Sequence, residues 1–130
     1  MIAALNAANT SVDGYTLDIL FVQATTSQMP DLTLIARPLP GNVAAETCCF
    51  NVSGMSGAIN FTYVTNDNRS ITIDLTKYSE TAGDLTHEVG HLLGLHHEAN
   101  ITNSLMSYSA TRASSFNADE LQRLYNAYHH

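Results

Sequence analysis

Basic side chains are scarce in this chain. Five Lys and Arg residues stand against twelve Asp and Glu, for a formal net charge of −7 over 130 residues. Arg37, Arg69, Lys77, Arg112 and Arg123 are scattered along the sequence. They form no basic face that could displace counterions from phosphates or dock on anionic lipid, so neither nucleic acid nor a membrane is expected as a partner. No apolar run approaches the ~20 residues that a spanning helix needs. The opening Met1-Ile-Ala-Ala-Leu5 has neither the basic region nor the long apolar stretch of a secretory signal. Cysteine is nearly absent. Cys48 and Cys49 are the only two, and they are adjacent, so no framework of bridges is available. Neighbouring cysteines rarely meet disulfide geometry without strain. Two small, partly buried thiols are therefore expected, with a vicinal or intermolecular disulfide as the alternative. Charged residues make up only 13%, and Ser, Thr and Asn are abundant. A surface wetted by hydroxyls and amides suits a secreted, extracellular protein.

What remains is a globular composition. Hydrophobic residues make up 45% of the chain, and residues 1–130 are one domain's worth, expected to act as a monomer. Ile2–Ala8 is Ala-rich and reads as a short helix. Tyr15–Val22 and Leu32–Ala36 read as strands. Residues 42–56 read as a long loop containing Cys48 and Cys49. Ala58–Val64 and Ser70–Leu75 read as strands of a hairpin around Asn66-Asp-Asn68. A helix begins near Thr81, with Asp84 three residues on as in a capping box, and stops at Gly94. Asn117 or Ser115 can cap a final helix, Ala118 to about Ala127, with Leu121, Leu124, Tyr125 and Tyr128 at helical spacing. The order predicts an α+β domain.

The chemistry sits in His87-Glu-Val-Gly-His91-Leu-Leu-Gly94-Leu-His-His97. On a helix, residues four apart lie on one face a turn along. His87 and His91 can therefore face one ion, while Glu88, offset by ~100°, can reach a water on it. Gly94 lets the chain leave the helix in a conformation closed to most residues, and the turn can return His97 as a third ligand. Three nitrogens with one open position make a catalytic zinc plan, and imidazole favours zinc over magnesium or calcium. Leu85, Val89, Leu92 and Leu93 form a separate apolar arc, with both histidines on its far side. Chance would produce the whole pattern roughly once in tens of thousands of such chains.

This segment resembles the HExxHxxGxxH signature of the metzincin zinc peptidases. Ser104-Leu-Met106-Ser-Tyr108 looks like the family's Met-turn, whose methionine lies beneath the metal. The link of nine positions from His97 to Met106 is short, as in matrixins, whereas Tyr108 two residues after the Met and Glu98 after the third His look astacin-like. The resemblance implies a small catalytic domain: a twisted, mostly parallel four-stranded sheet with an antiparallel edge strand, an active-site helix and a C-terminal helix. The substrate edge would lie near residues 57–64. It also implies that Tyr108 reaches the metal at rest and later stabilises the transition state. Tyr108 packed under the site is the alternative. Arg112 would fall in the wall of the primed-side pocket, although an exposed loop arginine is the stronger expectation from the residues. His96 has no ligand position and is expected to be a partly exposed neighbour.

The expected activity is zinc-dependent endopeptidase cleavage of a protein or peptide substrate, with Glu88 as general base. Two other readings stand beside it. One is a non-catalytic zinc-stabilised binding module, which would need no Glu88. The other is a proteolytic toxin or effector of narrow specificity.

Overall fold

A computed structural model describes residues 2–27, 30–48, 52–55, 62–64, 69–79, 83–98, 103–107 and 112–128. The elements run α1 (Ile2–Asn6), β1 (Thr10–Val12), β2 (Tyr15–Leu17), β3 (Leu32–Ala36), β4 (Ala45–Cys48), β5 (Val52–Met55), β6 (Thr62–Val64), β7 (Arg69–Ile73), α2 (Asp84–Leu92) and α3 (Ala118–Tyr128). The class is α+β, as expected. The sheet has the expected antiparallel edge strand but, among the described residues, not the expected four mostly parallel strands. Among the described residues the largest sheet has three strands in the order β3-β7-β4, with β3 parallel to β7 and β4 antiparallel to it at the edge. β1–β2 and β5–β6 are separate antiparallel pairs.

β7 is the centre of the sheet because it can be buried on both faces. Ile71, Thr72 and Ile73 are all buried in succession, the pattern of an interior strand rather than an alternating one. Ile71 and Ile73 join Leu85 and Val89 of α2, Leu121 and Leu124 of α3, and Leu105, Met106 and Phe116 in one core. Each such large side chain contributes ~1.5–3 kcal/mol by leaving water.

Three strand expectations need correction. The strand expected over Tyr15–Val22 stops at Leu17. Beyond it, Asn6 accepts from Phe21 N and donates to Phe21 O, and Asn9 does the same for Ile19. These side-chain amides occupy backbone groups that a neighbouring strand would need. The segment read as a loop over 42–56 holds β4 and β5, because β4 finds a partner in β7. The expected hairpin is also re-paired: β6 lies against β5, and β7 between β3 and β4. Cys48 is disulfide-bonded rather than a free thiol. Cys49, the chain's other cysteine, lies outside the described residues.

The helices follow the sequence more closely. Thr81, the expected cap of α2, lies outside the described residues, and the residue before the helix is Gly83 at φ 74°. A Cβ there would sit 2.6 Å from Ser114 O, so both the left-handed backbone and the close approach demand glycine. At the other end Gly94 has φ 108°. Its N–H bonds His91 O at 3.0 Å, and Leu95 N–H bonds Gly90 O at 2.9 Å. That pair of bonds is a Schellman turn. In α3, Leu121 and Leu124 are buried, but Tyr125 and Tyr128 are about half exposed.

Candidate metal centre

Helix α2 is anchored by Leu85, Val89 and Leu92, all buried. Its other face carries His87, Glu88 and His91 into a cavity of about 670 Å3. The Schellman turn at Gly94 reverses the chain and brings in His97. The three Nε2 atoms form a nearly equilateral triangle: His87–His91 3.1 Å, His87–His97 3.1 Å and His91–His97 3.0 Å. These histidines are the group among the described residues able to hold a metal ion.

The backbone sets the tautomers. His87 Nδ1 lies 2.7 Å from Leu105 O, and His91 Nδ1 lies 2.7 Å from Leu95 O. A carbonyl only accepts, so each Nδ1 carries the proton. Burial, the largest cause, pushes the His87 pKa down to about 3 and that of His91 to about 4, while the two carbonyls pull the other way. The same desolvation lowers His97. His87 and His91 are thus neutral, with Nε2 a bare acceptor on each. Their 3.1 Å contact has no proton in it. Two lone pairs held that close repel unless a cation sits between them. Protonated Nδ1 bonded to an outer carbonyl is also how metal-bound histidines are oriented.

Met106 packs against α2 at Gly90. It is fully buried, and a Cβ on Gly90 would overlap its sulfur and approach Phe116 Cε1 to 3.2 Å. Gly90 is therefore what lets α2 settle onto the turn at 104–107. That turn is held by Glu120, a residue with no exposed surface. Its Oε1 accepts from Leu105 N at 3.2 Å and Asn117 N at 3.0 Å, and its Oε2 from Met106 N at 3.0 Å and Ser104 Oγ at 3.2 Å. Asn117 Oδ1 accepts from Glu120 N at 2.8 Å in return, completing a capping box. One carboxylate starts α3 and also fixes the segment whose Leu105 carbonyl orients His87. Of the two caps the sequence offers, Asn117 and Ser115, the structure uses Asn117; Glu120 was not expected at the site, although Asn117-x-x-Glu120 was the visible signal.

Glu88 is buried beside the triangle. Burial, the largest cause, raises its pKa, opposed by the Thr47 hydroxyl and the charge of Arg112. Thr47 Oγ1 lies 2.5 Å from Glu88 Oε2. No local pattern marks Thr47 in the sequence, because β4 reaches α2 only through the fold. Arg112 corrects an expectation: its side chain is 24% exposed, lines the cavity and pairs with Asp84 at 3.0 Å. His96 is exposed on the cavity rim, as expected. β4 runs along the cavity through Ala45, Glu46 and Thr47; of the edge expected near residues 57–64, residues 57–61 lie outside the described residues. Tyr108 lies outside the described residues. The chain matches no protein-family model, no curated protein and no solved structure.

Proposed function

We propose that this chain is a zinc-dependent endopeptidase of metzincin type, acting as a monomer on protein or peptide substrates in an extracellular setting. One observation carries the reading: a triangle of imidazole nitrogens, bare at His87 and His91, opens on the same cavity as a buried glutamate. Tetrahedral ligands at ~2.0–2.1 Å from zinc lie about 3.3 Å apart, close to the 3.0–3.1 Å spacings seen here. The neutral three-nitrogen donor set suits zinc and leaves a position open for chemistry. Bound there, zinc supplies Lewis acidity toward a carbonyl and makes water a stronger acid.

His87, His91 and His97 hold the metal in this reading. Glu88 takes a proton from the attacking water and returns it to the leaving amine. An extended peptide adds by main-chain pairing to β4, the edge strand of the three-stranded sheet among the described residues. Tyr108 is proposed as a further stabiliser of the oxyanion, on the family resemblance.

The deciding experiment measures zinc content and cleavage of a mixed peptide library for the wild type and Glu88→Ala. The expected result is ~1 zinc in both, with cleavage in the wild type alone. Equal cleavage in both proteins would remove Glu88 from the reaction. A wild type without zinc would remove the metal centre, and a zinc-loaded wild type that cleaves nothing would favour a binding module.

A further inference from the structure

Glu88 sits on a helix, and the residue that holds its carboxylate sits on a strand. β4 pairs with the buried centre of the sheet, with Thr47 opposite Ile71. Side chains alternate between the faces of a strand. Glu46 points outward, where it pairs with Arg37 at 3.8 Å, and Thr47 points toward α2. A register slip of one residue would replace the hydroxyl at that place with the Glu46 or Cys48 side chain. The pairing with β7 therefore specifies where this hydroxyl lies.

Thr47 Oγ1 is 2.5 Å from Glu88 Oε2 and 3.1 Å from the Glu88 backbone oxygen. A hydroxyl has one proton to donate. The carboxylate oxygen is nearer and, when ionised, the stronger acceptor. The proton therefore goes to Oε2. Among the described residues, Oε1 accepts no hydrogen bond.

We propose that Thr47 is a positioning residue for Glu88, its hydroxyl engaging Oε2 so that Oε1 is the oxygen that takes and returns the proton. The inference rests on the reading of Glu88 as general base. Without Thr47 the carboxylate can turn about its terminal torsion, which is broad and roughly two-fold. Either oxygen could then face the reacting water, neither held in place. The loss would fall on the chemical step and not on the binding of peptide. Because Thr47 lies on the strand proposed to pair with substrate, peptide docking and base alignment share one rigid element.

Threonine also suits a strand, so a purely structural role must be separated from this one. Valine has the same shape and at least equal strand preference. Thr47→Val therefore removes the hydroxyl and keeps the packing. The expected result is a fall in kcat of about 10–100-fold, the scale of a misplaced catalytic group, with KM and zinc content unchanged. Thr47→Ser returns the hydroxyl and should recover kcat to within a few-fold. A second measurement does not depend on activity: a double-mutant cycle on the denaturant unfolding of the full chain at one fixed zinc concentration, using Thr47→Val, Glu88→Ala and the pair. Contact between the two groups should appear as coupling of at least about 3-fold in the unfolding constant.

The outcomes are distinct. Wild-type kcat in Thr47→Val overturns the positioning role, as does Thr47→Ser being as slow as Thr47→Val. A raised KM with unchanged kcat would make Thr47 part of peptide docking instead. Absence of coupling would remove the contact itself. If Glu88→Ala cleaves as well as the wild type, the reading of Glu88 fails first, and the cycle still reports on the bond.

Discussion

Asp74 follows the central strand and is buried at its end. It accepts from Leu39 N at 3.0 Å, Thr76 N at 3.0 Å and Thr76 Oγ1 at 2.6 Å, and it pairs with Lys77 at 3.2 Å. Chiefly through Thr76 and Leu39, these contacts hold its pKa well below the ordinary 3.8. A depressed carboxyl contributes stability above its unfolded value and loses it as pH falls toward the folded one. Asp74→Asn should therefore lower the thermal midpoint at pH 7. The gap from wild type should shrink as pH falls below 3.8, which a series of melts from pH 7 to pH 2 would check. Glu120 acts on the site itself. Glu120→Gln would set an amide donor against backbone donors of the turn at 104–107. The expected cost is about 2–4 kcal/mol of stability. Because Leu105 O orients His87, metal affinity should also fall by roughly 10–100-fold, as read by competition with a chelating dye.

At the scale of elements, α2 faces two ways. Its leucines and valine were readable as one arc and its histidines as another, and both are where helical spacing put them. Gly94 was readable too, and the Schellman bonds give its physical reason. Gly94→Ala places a Cβ at φ 108°. It should destabilise the chain by about 1 kcal/mol or more and weaken metal binding, because the same turn delivers His97. Denaturant midpoints and zinc titration check the two halves separately. Gly90 had no such visible reason. Its need arises across the core, from the Met106 sulfur and the Phe116 ring. Gly90→Ala should cost about 1–3 kcal/mol by overpacking, and pairing it with a smaller residue at Met106 should recover part of that loss in the same melts.

At the scale of the molecule, a metal held by the three histidines would tie the helix, its exit turn and the Leu105 carbonyl into one unit. A ligand that binds only the folded state stabilises it by RT ln(1 + [L]/Kd), ~2.7 kcal/mol at a hundredfold excess over Kd. Chelation should therefore lower the thermal midpoint by several degrees, and zinc should restore it where magnesium does not. The candidate ligands and Glu88 were legible because helical spacing is local: four residues make a turn whatever else the chain does. Sheet order was not legible, since β7 could pair with β3, β4 or β6 on local grounds. Burial on both faces drew it to the centre, and the amides of Asn6 and Asn9 held the 19–21 segment out of the sheet. Thr47, Arg112 and Glu120 became part of the site only when distant segments packed together. Residue spacing along a helix belongs to the chain, whereas a hydroxyl placed across from a carboxylate 41 residues away exists only after the strands have chosen their neighbours.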